Sequence, residues 1–513
     1  MRFLIWCLLV CVVGNLHAQV SQPARYEIEE KNTTNSYIIV PMKENGLALI
    51  QDKDKTKDRK SLWQLILLDT ALQETYKSEL ALEPRIKLVG YDFINQDLFL
   101  LFREGDTNFN NFSIVKINTI THQQSNFTVK QELDFKLSHY SMLDNVAVIG
   151  GYVGNEPAVL MYDLPKENLK ILPGFFLTDT EMLDLRVNKN NTFNVLLAER
   201  GTRETRKLTL RTYDSEGTQL LEDIVETPQG KTIISGITSV LDREELLVVG
   251  AWGTDRSKQA SGVFSLLIDP FNAQPIQFFG FGEMKHSFDF MRPKRAEKLK
   301  SKEVTNLKNE KNPTYKTPVH IIKLEENTSG FVALAELYSP YSVTSSNWSS
   351  YNPYINSPSG FGQYNNRYYN SPYSSYNNRQ PVGVQVLHSL VINFDHQGKL
   401  TNDFGMVLEN TKLQALEQSS DFTFLPTGVA QVYKKESDLL LNITEGNDVF
   451  TQDTVKIKLR SPSDKLKHES EENGGVRSWF KNNLYTWGYS SVKDEEKSDP
   501  SRNVFYINKV RVQ

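Results

Sequence analysis

The sequence predicts an all-β fold made of one four-stranded unit repeated along the chain. Two observations lead there. Apolar runs ending in Asp or Asn recur at nearly even spacing, and Gly-bearing turn chemistry follows several of them. The runs are LWQLILLD ending at Asp69, FSIVKIN at Asn118, AVLMYD at Asp163, LTLRTYD at Asp214, VFSLLID at Asp269, LVINFD at Asp395 and VFYIN at Asn508. The first five end 49, 45, 51 and 55 residues apart. A period near 50 marks one supersecondary unit used again and again.

Each unit reads alike. A first strand such as IISGITSVL leads through a turn to a second such as ELLVVGAW. A loop of variable length leads to the third strand, which is the apolar run, and a short turn leads to the fourth. Two of those turns read YDSEGTQL and FDHQGKL, where Gly accepts the positive φ of a tight turn. The period-2 alternation is patchy and several runs are continuously apolar, as in strands covered on both faces.

Four short antiparallel strands per unit, repeated in this way, resemble the blades of a β-propeller. The resemblance is one of architecture, without the Trp-Asp signature of WD40 repeats or the double glycine of kelch. The 126 residues from Asp269 to Asp395 hold one normal unit once two insertions, 284–316 and 339–380, are removed. The 113 residues from Asp395 to Asn508 hold one expanded unit or two. Seven blades are favoured and eight are possible, in a single domain over 19–513. The segment RYEIEEKN, 25–32, precedes the first unit, and NVFYINKVRVQ ends the chain at a third strand. The early strand is expected to supply the missing fourth strand of the last blade, because an open ring would leave strand edges unpaired.

The glycines of Gly250-Ala251-Trp252-Gly253, Gly151-Tyr152-Val153-Gly154 and Thr486-Trp487-Gly488 sit at or near second-strand ends, where they release the chain from the sheet. Trp252 and Trp487 are read as packing between blades. Ligand stacking by Trp252 is the alternative.

The first insertion carries eight Lys or Arg against three Glu between Arg292 and Lys311, a local charge of +5. Pro293 suits the first turn of a helix and Pro313 a position beyond its end. A solvated surface helix is expected, with an acidic partner or anionic lipid surface as the alternative. In the second insertion, Tyr, Ser and Asn make up 26 of the 40 residues from 341 to 380, and Arg367 and Arg379 are the only charges. Such a composition cannot build a core and is expected to be disordered. Its rings, Trp348, Tyr351, Tyr354, Tyr364, Tyr368, Tyr369, Tyr373 and Tyr376, are candidate partner-binding residues of adhesive type.

The N-terminus reads MRFLIWCLLVCVVGNLHAQV, with Arg2, an apolar run from Phe3 to Val13, and Ala18 before Gln19. This is the pattern of an export signal over 1–18. Cys7 and Cys11 both fall inside it, so the mature chain would carry no disulfide, thiolate metal site or cysteine nucleophile. Lipidation ranks second, because Val10 before Cys11 is bulky and lies too early. No other apolar run is long enough to span a bilayer. The net charge of −4 over 513 residues gives no reason to expect nucleic acid as a partner. The pattern is similar to that of exported, propeller-like proteins of Gram-negative bacteria, in the periplasm or at the outer surface.

Chemistry leaves little trace. His122, His139, His286, His320, His388, His396 and His468 are scattered, with no H-E-x-x-H. No G-x-S-x-G elbow or phosphate-binding loop appears. Asp52, Asp54 and Asp58 imitate the start of a calcium loop but lack its Gly, and Trp63 stands where the bidentate Glu belongs. No catalytic residue, metal or cofactor is expected from these motifs. The favoured reading is a monomeric, non-enzymatic platform for an envelope protein or glycan. The alternative is a polysaccharide hydrolase or lyase with its site in the central pocket.

Overall fold

The computed structural model describes residues 20–513 apart from 31–36, 106–110, 201–205, 242–244, 255–258, 270, 273, 343–381, 414–415, 446–448, 471–473 and 497–500. The strands form eight antiparallel sheets that follow one another along the chain. Blade 1 covers 38–82, blade 2 86–129, blade 3 135–171, blade 4 180–227, blade 5 231–280, blade 6 319–413 and blade 7 420–456. Blade 8 combines 464–512 with Val20–Glu29 from the start of the chain.

The count is eight, not the favoured seven. The interval from Asp395 to Asn508 holds two third strands, and the one without a closing Asp or Asn is Asp438–Glu445. The reason is chemical. In blades 1 to 6 the closing Asp or Asn caps the third-to-fourth turn. Asp69 Oδ1 accepts from Ala71 and Gln73 N–H, at 2.8 Å each. Asp214 Oδ1 accepts from Glu216 and Thr218 N–H at 2.9 and 2.7 Å, and Asp395 Oδ1 from Gln397 and Lys399 N–H at 3.0 and 2.8 Å. Asn118, Asp163 and Asp269 do the same. These are Asx turns, which satisfy backbone donors that the sheet leaves free. Blade 7 ends its third strand in Glu445 and lacks the mark.

The inner strands of blades 2 to 6 share a second device. Each carries a bulge at its fourth residue: Val89, Ser138, Leu183, Ile234 and Ile322. A bulge shifts the alternation by one residue, so the side chains after it swap faces. This, together with burial on both faces, makes the period-2 pattern patchy. Gly250 lies opposite the bulge of blade 5, where a Cβ would stand 2.0 Å from the Ser235 carbonyl oxygen.

The core is divided into wedges between neighbouring blades. One hydrophobic cluster joins each adjacent pair, including blade 8 to blade 1 through Tyr37, Ile39, Leu49, Trp487 and Phe505. Buried carboxylates reinforce several joints by accepting backbone N–H groups from the next blade. Asp92 accepts from Met142 at 2.8 Å, Asp184 from Thr238 at 2.6 Å and Asp421 from Ser478 at 2.8 Å. A buried donor left unpaired would cost more than the bond itself contributes.

Closure follows the expected route. Val20–Glu29 pairs antiparallel with Arg502–Val512, with Tyr26 opposite Ile507 and Glu29 opposite Val504. Side chains fasten the joint. Gln22 exchanges hydrogen bonds with Lys456 O and Lys458 N–H at 2.7 and 2.9 Å. Arg25 Nη1 donates to Asn508 Oδ1 at 2.8 Å and its guanidinium lies 4.1 Å from the centre of the Tyr506 ring. Asn508, read in sequence as a repeat mark, caps no turn here and instead donates to Gln22 Oε1 at 2.9 Å.

The first insertion forms a helix, Pro293–Lys308, which we call α1, with Pro at its start. The strand before the second insertion runs on to Ser342 and the next begins at Val382. No helix among the described residues is long and apolar enough to cross a membrane.

Candidate binding cavity at the hairpins of blades 6 to 8

The hairpins that join first and second strands gather on one face of the ring. At blades 7 and 8 they enclose a cavity of about 560 Å³. Its walls are Phe422–Pro426 from blade 7 and Ser478–Asn482 from blade 8, with Glu325 of blade 6 at one side. The inner strand Ser420–Leu425 brings up Phe422 and Phe424, and Gly475–Phe480 brings up Trp479 and Phe480. Trp479 and Phe480 meet edge to face at 5.0 Å, as do Phe422 and Phe424 at 5.5 Å.

The walls are held from behind. Trp479 Nε1 donates to Gly46 O of blade 1 at 3.0 Å, and Thr423 Oγ1 donates to Lys481 O at 2.6 Å. The Asn482 side chain donates to Val512 O at 2.7 Å. Bonds that tie the hairpins of blades 7 and 8 to each other and to blade 1 make a preformed site.

A lysine underlies the wall. Lys323 follows the bulge of blade 6, and its Nζ donates to Ser478 Oγ at 2.8 Å and to Asp421 Oδ1 and Phe422 O at 3.2 Å each. It also lies 3.1 Å from Glu325 Oε1 and 4.4 Å from the Phe422 ring centre. Burial opposes its charge, but the Asp421 and Glu325 carboxylates outweigh burial and hold the ammonium well above its usual pKa. Burial pushes the Asp421 carboxyl up, and Lys323, Arg477 and two backbone N–H groups bring it below its ordinary value. The result is a charged floor compensated within itself. Among the described residues, Glu325 is the one carboxylate that lines the cavity.

A second polar centre lies at the junction of blades 5 and 6. Asp403 accepts from Lys285 and His286 N–H, at 2.7 Å each, and His286 Nδ1 meets Asp289 Oδ2 at 2.7 Å. His388 Nε2 donates to His286 O at 2.8 Å. Burial pushes the His388 pKa down to about 4, so the ring is neutral. These groups anchor the segment before α1. Among the described residues no group of three His, Cys, Asp or Glu is placed to hold a metal ion.

Of the residues singled out in sequence, Trp252 lies buried between blades 4 and 5 with Leu196, Leu208 and Phe264. Its Nε1 donates to Phe279 O at 3.1 Å. Trp487 is buried between blades 8 and 1. Trp348, Tyr351, Tyr354, Tyr364, Tyr368, Tyr369, Tyr373 and Tyr376 lie outside the described residues, as does the segment 1–19. Asp52 and Asp54 belong to the second strand of blade 1, and Asp58 to the hairpin that follows. The cavity residues were not singled out. Their one trace in sequence is the pair of aromatics closing two inner strands, DFTFLP and RSWFKN.

No protein-family model matches the chain, and no curated protein matches it. Solved structures show distant likenesses. The polysaccharide lyase Uly1 aligns over 95% of this chain and 100% of its own, at 9% identity and a TM-score of 0.39. The dihydro-heme d1 dehydrogenase NirN covers 96% of this chain and 78% of its own, at 9% identity and 0.38. The β-propeller domain of the Trilobed protease from Pyrococcus furiosus covers 83% of this chain and 93% of its own, at 8% identity and 0.33. At such identity and overlap these likenesses carry no inference about activity. The chain is a β-propeller on its own strand pairings.

Proposed function

We propose that the chain is an exported, non-enzymatic propeller that holds a protein or glycan partner at the cell envelope, with the cavity of blades 6 to 8 as its contact site. One observation carries the reading. Among the described residues the cavity offers aromatic walls and a single carboxylate, and that carboxylate is already paired with Lys323. Acid–base cleavage of a glycosidic bond draws on two groups with separate roles. Aromatic faces beside hairpin polar groups suit binding by stacking. The Tyr-rich stretch from Trp348 to Tyr376 belongs to this proposal as a further contact.

A second reading, a polysaccharide hydrolase or lyase, draws on the closeness of the Lys323 amine and Glu325 carboxylate to the cavity wall. One experiment separates the two. The protein is titrated with a panel of oligosaccharides and peptides by tryptophan fluorescence, and the mixtures are then analysed for cleaved products. Binding without products supports the platform, with Phe424→Ala and Phe480→Ala each weakening it about tenfold. Products from any glycan would replace the platform with the enzyme. Binding left unchanged by both substitutions would remove the cavity from the proposal.

A further inference from the structure

The link from blade 5 to blade 6 is far longer than any other between described blades, and it carries α1. The helix is anchored firmly. Ala296 and Leu299 pack on the cluster between blades 5 and 6. Buried Glu303 accepts N–H bonds from Thr314 and Tyr315, at 3.1 Å each, and a hydroxyl bond from Thr314. Lys300 Nζ donates to Lys285 O at 2.9 Å.

The outer face of α1 runs against the electrostatics of a helix. Arg292 stands at the N-cap, Lys294 and Arg295 follow, and the first turn holds no acid. Cations there oppose the helix dipole. Lys294, Lys298 and Lys302 then repeat at four-residue spacing, where like charges repel. All five of these basic side chains are exposed within or beside α1. The helix has two acids, of which Glu303 is turned inward and only Glu297 is exposed. Charges set against two local rules at once, on a rigid support, mark a surface shaped by something other than folding.

We propose that this face docks a linear acidic polysaccharide. The Lys294–Lys298–Lys302 row advances about 6 Å per step along the helix axis, so it presents a line of cations to an extended chain. The apolar side of α1 is spent on the propeller, and Leu307 is its exposed large apolar residue. A protein interface or a bilayer contact draws on apolar burial that this face does not offer. Five of the six exposed cations from Arg292 through Lys308, excluding Arg292 itself, lie on the helix, and four of those five are Lys, compact and strongly hydrated, which suits carboxylates in water. Nucleic acid is the less fitting polyanion, since Arg is the residue suited to forked phosphate contacts and base stacking, and of the five exposed helix cations Arg295 alone supplies it. This site shares no residue with the cavity, so either assignment can fail without the other.

The test uses the full chain and polygalacturonate as probe, with the fully methyl-esterified polymer as its neutral counterpart. Anionic phospholipid vesicles and duplex DNA are the competing arms. The expected result is retention by polygalacturonate at about 50 mM salt, loss at about 200 mM, and none by the ester. Lys294→Gln/Lys298→Gln/Lys302→Gln should weaken binding by about tenfold or more and flatten its salt dependence. That variant should melt no lower than the parent, since it relieves repulsion; if it does not fold, Lys298→Gln alone must show a smaller loss in the same direction. Equal binding by parent and variant, no binding by the parent, or tighter binding to vesicles or DNA overturns the proposal.

Discussion

Two buried groups set opposite pH dependences in the same range. His388 has its pKa pushed from 6.5 to about 4 by burial. The unfolded chain therefore binds more protons than the folded one between those values. Stability from His388 is full above pH 6.5 and is lost as pH falls through 4, an effect of about 3 kcal/mol. Glu336, on the second strand of blade 6, is raised from 4.5 to about 7, chiefly by burial, with Ser419 and Ser420 N–H groups pulling the other way. Here the folded chain binds the extra proton, so stability is full below pH 4.5 and falls as pH rises through 7. The two slopes oppose each other between pH 4.5 and 6.5. Relative to the parent, His388→Gln should tilt stability downward with rising pH, and Glu336→Gln should tilt it upward. Melting curves at several pH values check both signs; the same slope in both variants would refute the assignment.

At the scale of the element, a few backbone devices recur from blade to blade. Asp395→Ala removes the cap of one turn and should cost about 1 kcal/mol in chemical denaturation. Gly250→Ala should cost more, because the new methyl would meet the Ser235 carbonyl, which is held by the paired strand. If the two substitutions rank in the other order, the bulge is softer than its packing indicates. These devices also explain what the sequence disclosed. The turn caps are local and chemically narrow, so Asp69, Asn118, Asp163, Asp214, Asp269 and Asp395 could be read directly. Blade 7 was missed because Glu445 stands at its turn, where an Asp or Asn was the mark. The bulges blurred strand alternation for the same reason that they help build the ring: each moves the later side chains to the other face. The cavity was illegible because its walls come from three blades, and no spacing rule links Glu325 to Phe424 and Trp479. The carboxylate joints were hidden for a similar reason, since Asp92 and Met142 are 50 residues apart.

The whole molecule is a ring sealed by one strand. Deleting 20–29 should expose the edge of Arg502–Val512 and strand the Gln22 and Arg25 contacts to Lys456, Lys458 and Asn508. An unpaired edge of this length is a template for association. The truncated protein should therefore elute as aggregate in size-exclusion chromatography and melt well below the parent. A monomeric truncation with an unchanged melting curve would show that the other joints hold the ring unaided.

The seal also imposes an order in time. Val20–Glu29 is among the first segments of the ring to be made, and its partner Arg502–Val512 is the last. Blades 1 to 7 can pair from within themselves as they emerge, but blade 8 is complete only once Arg502–Val512 has been made. Until then the earliest strand has no place in the sheet, and blade 1 has no neighbour on one side. A chain stopped before Arg502 would own seven complete blades and no closed ring, so this strand acts as a check that the other blades have arrived.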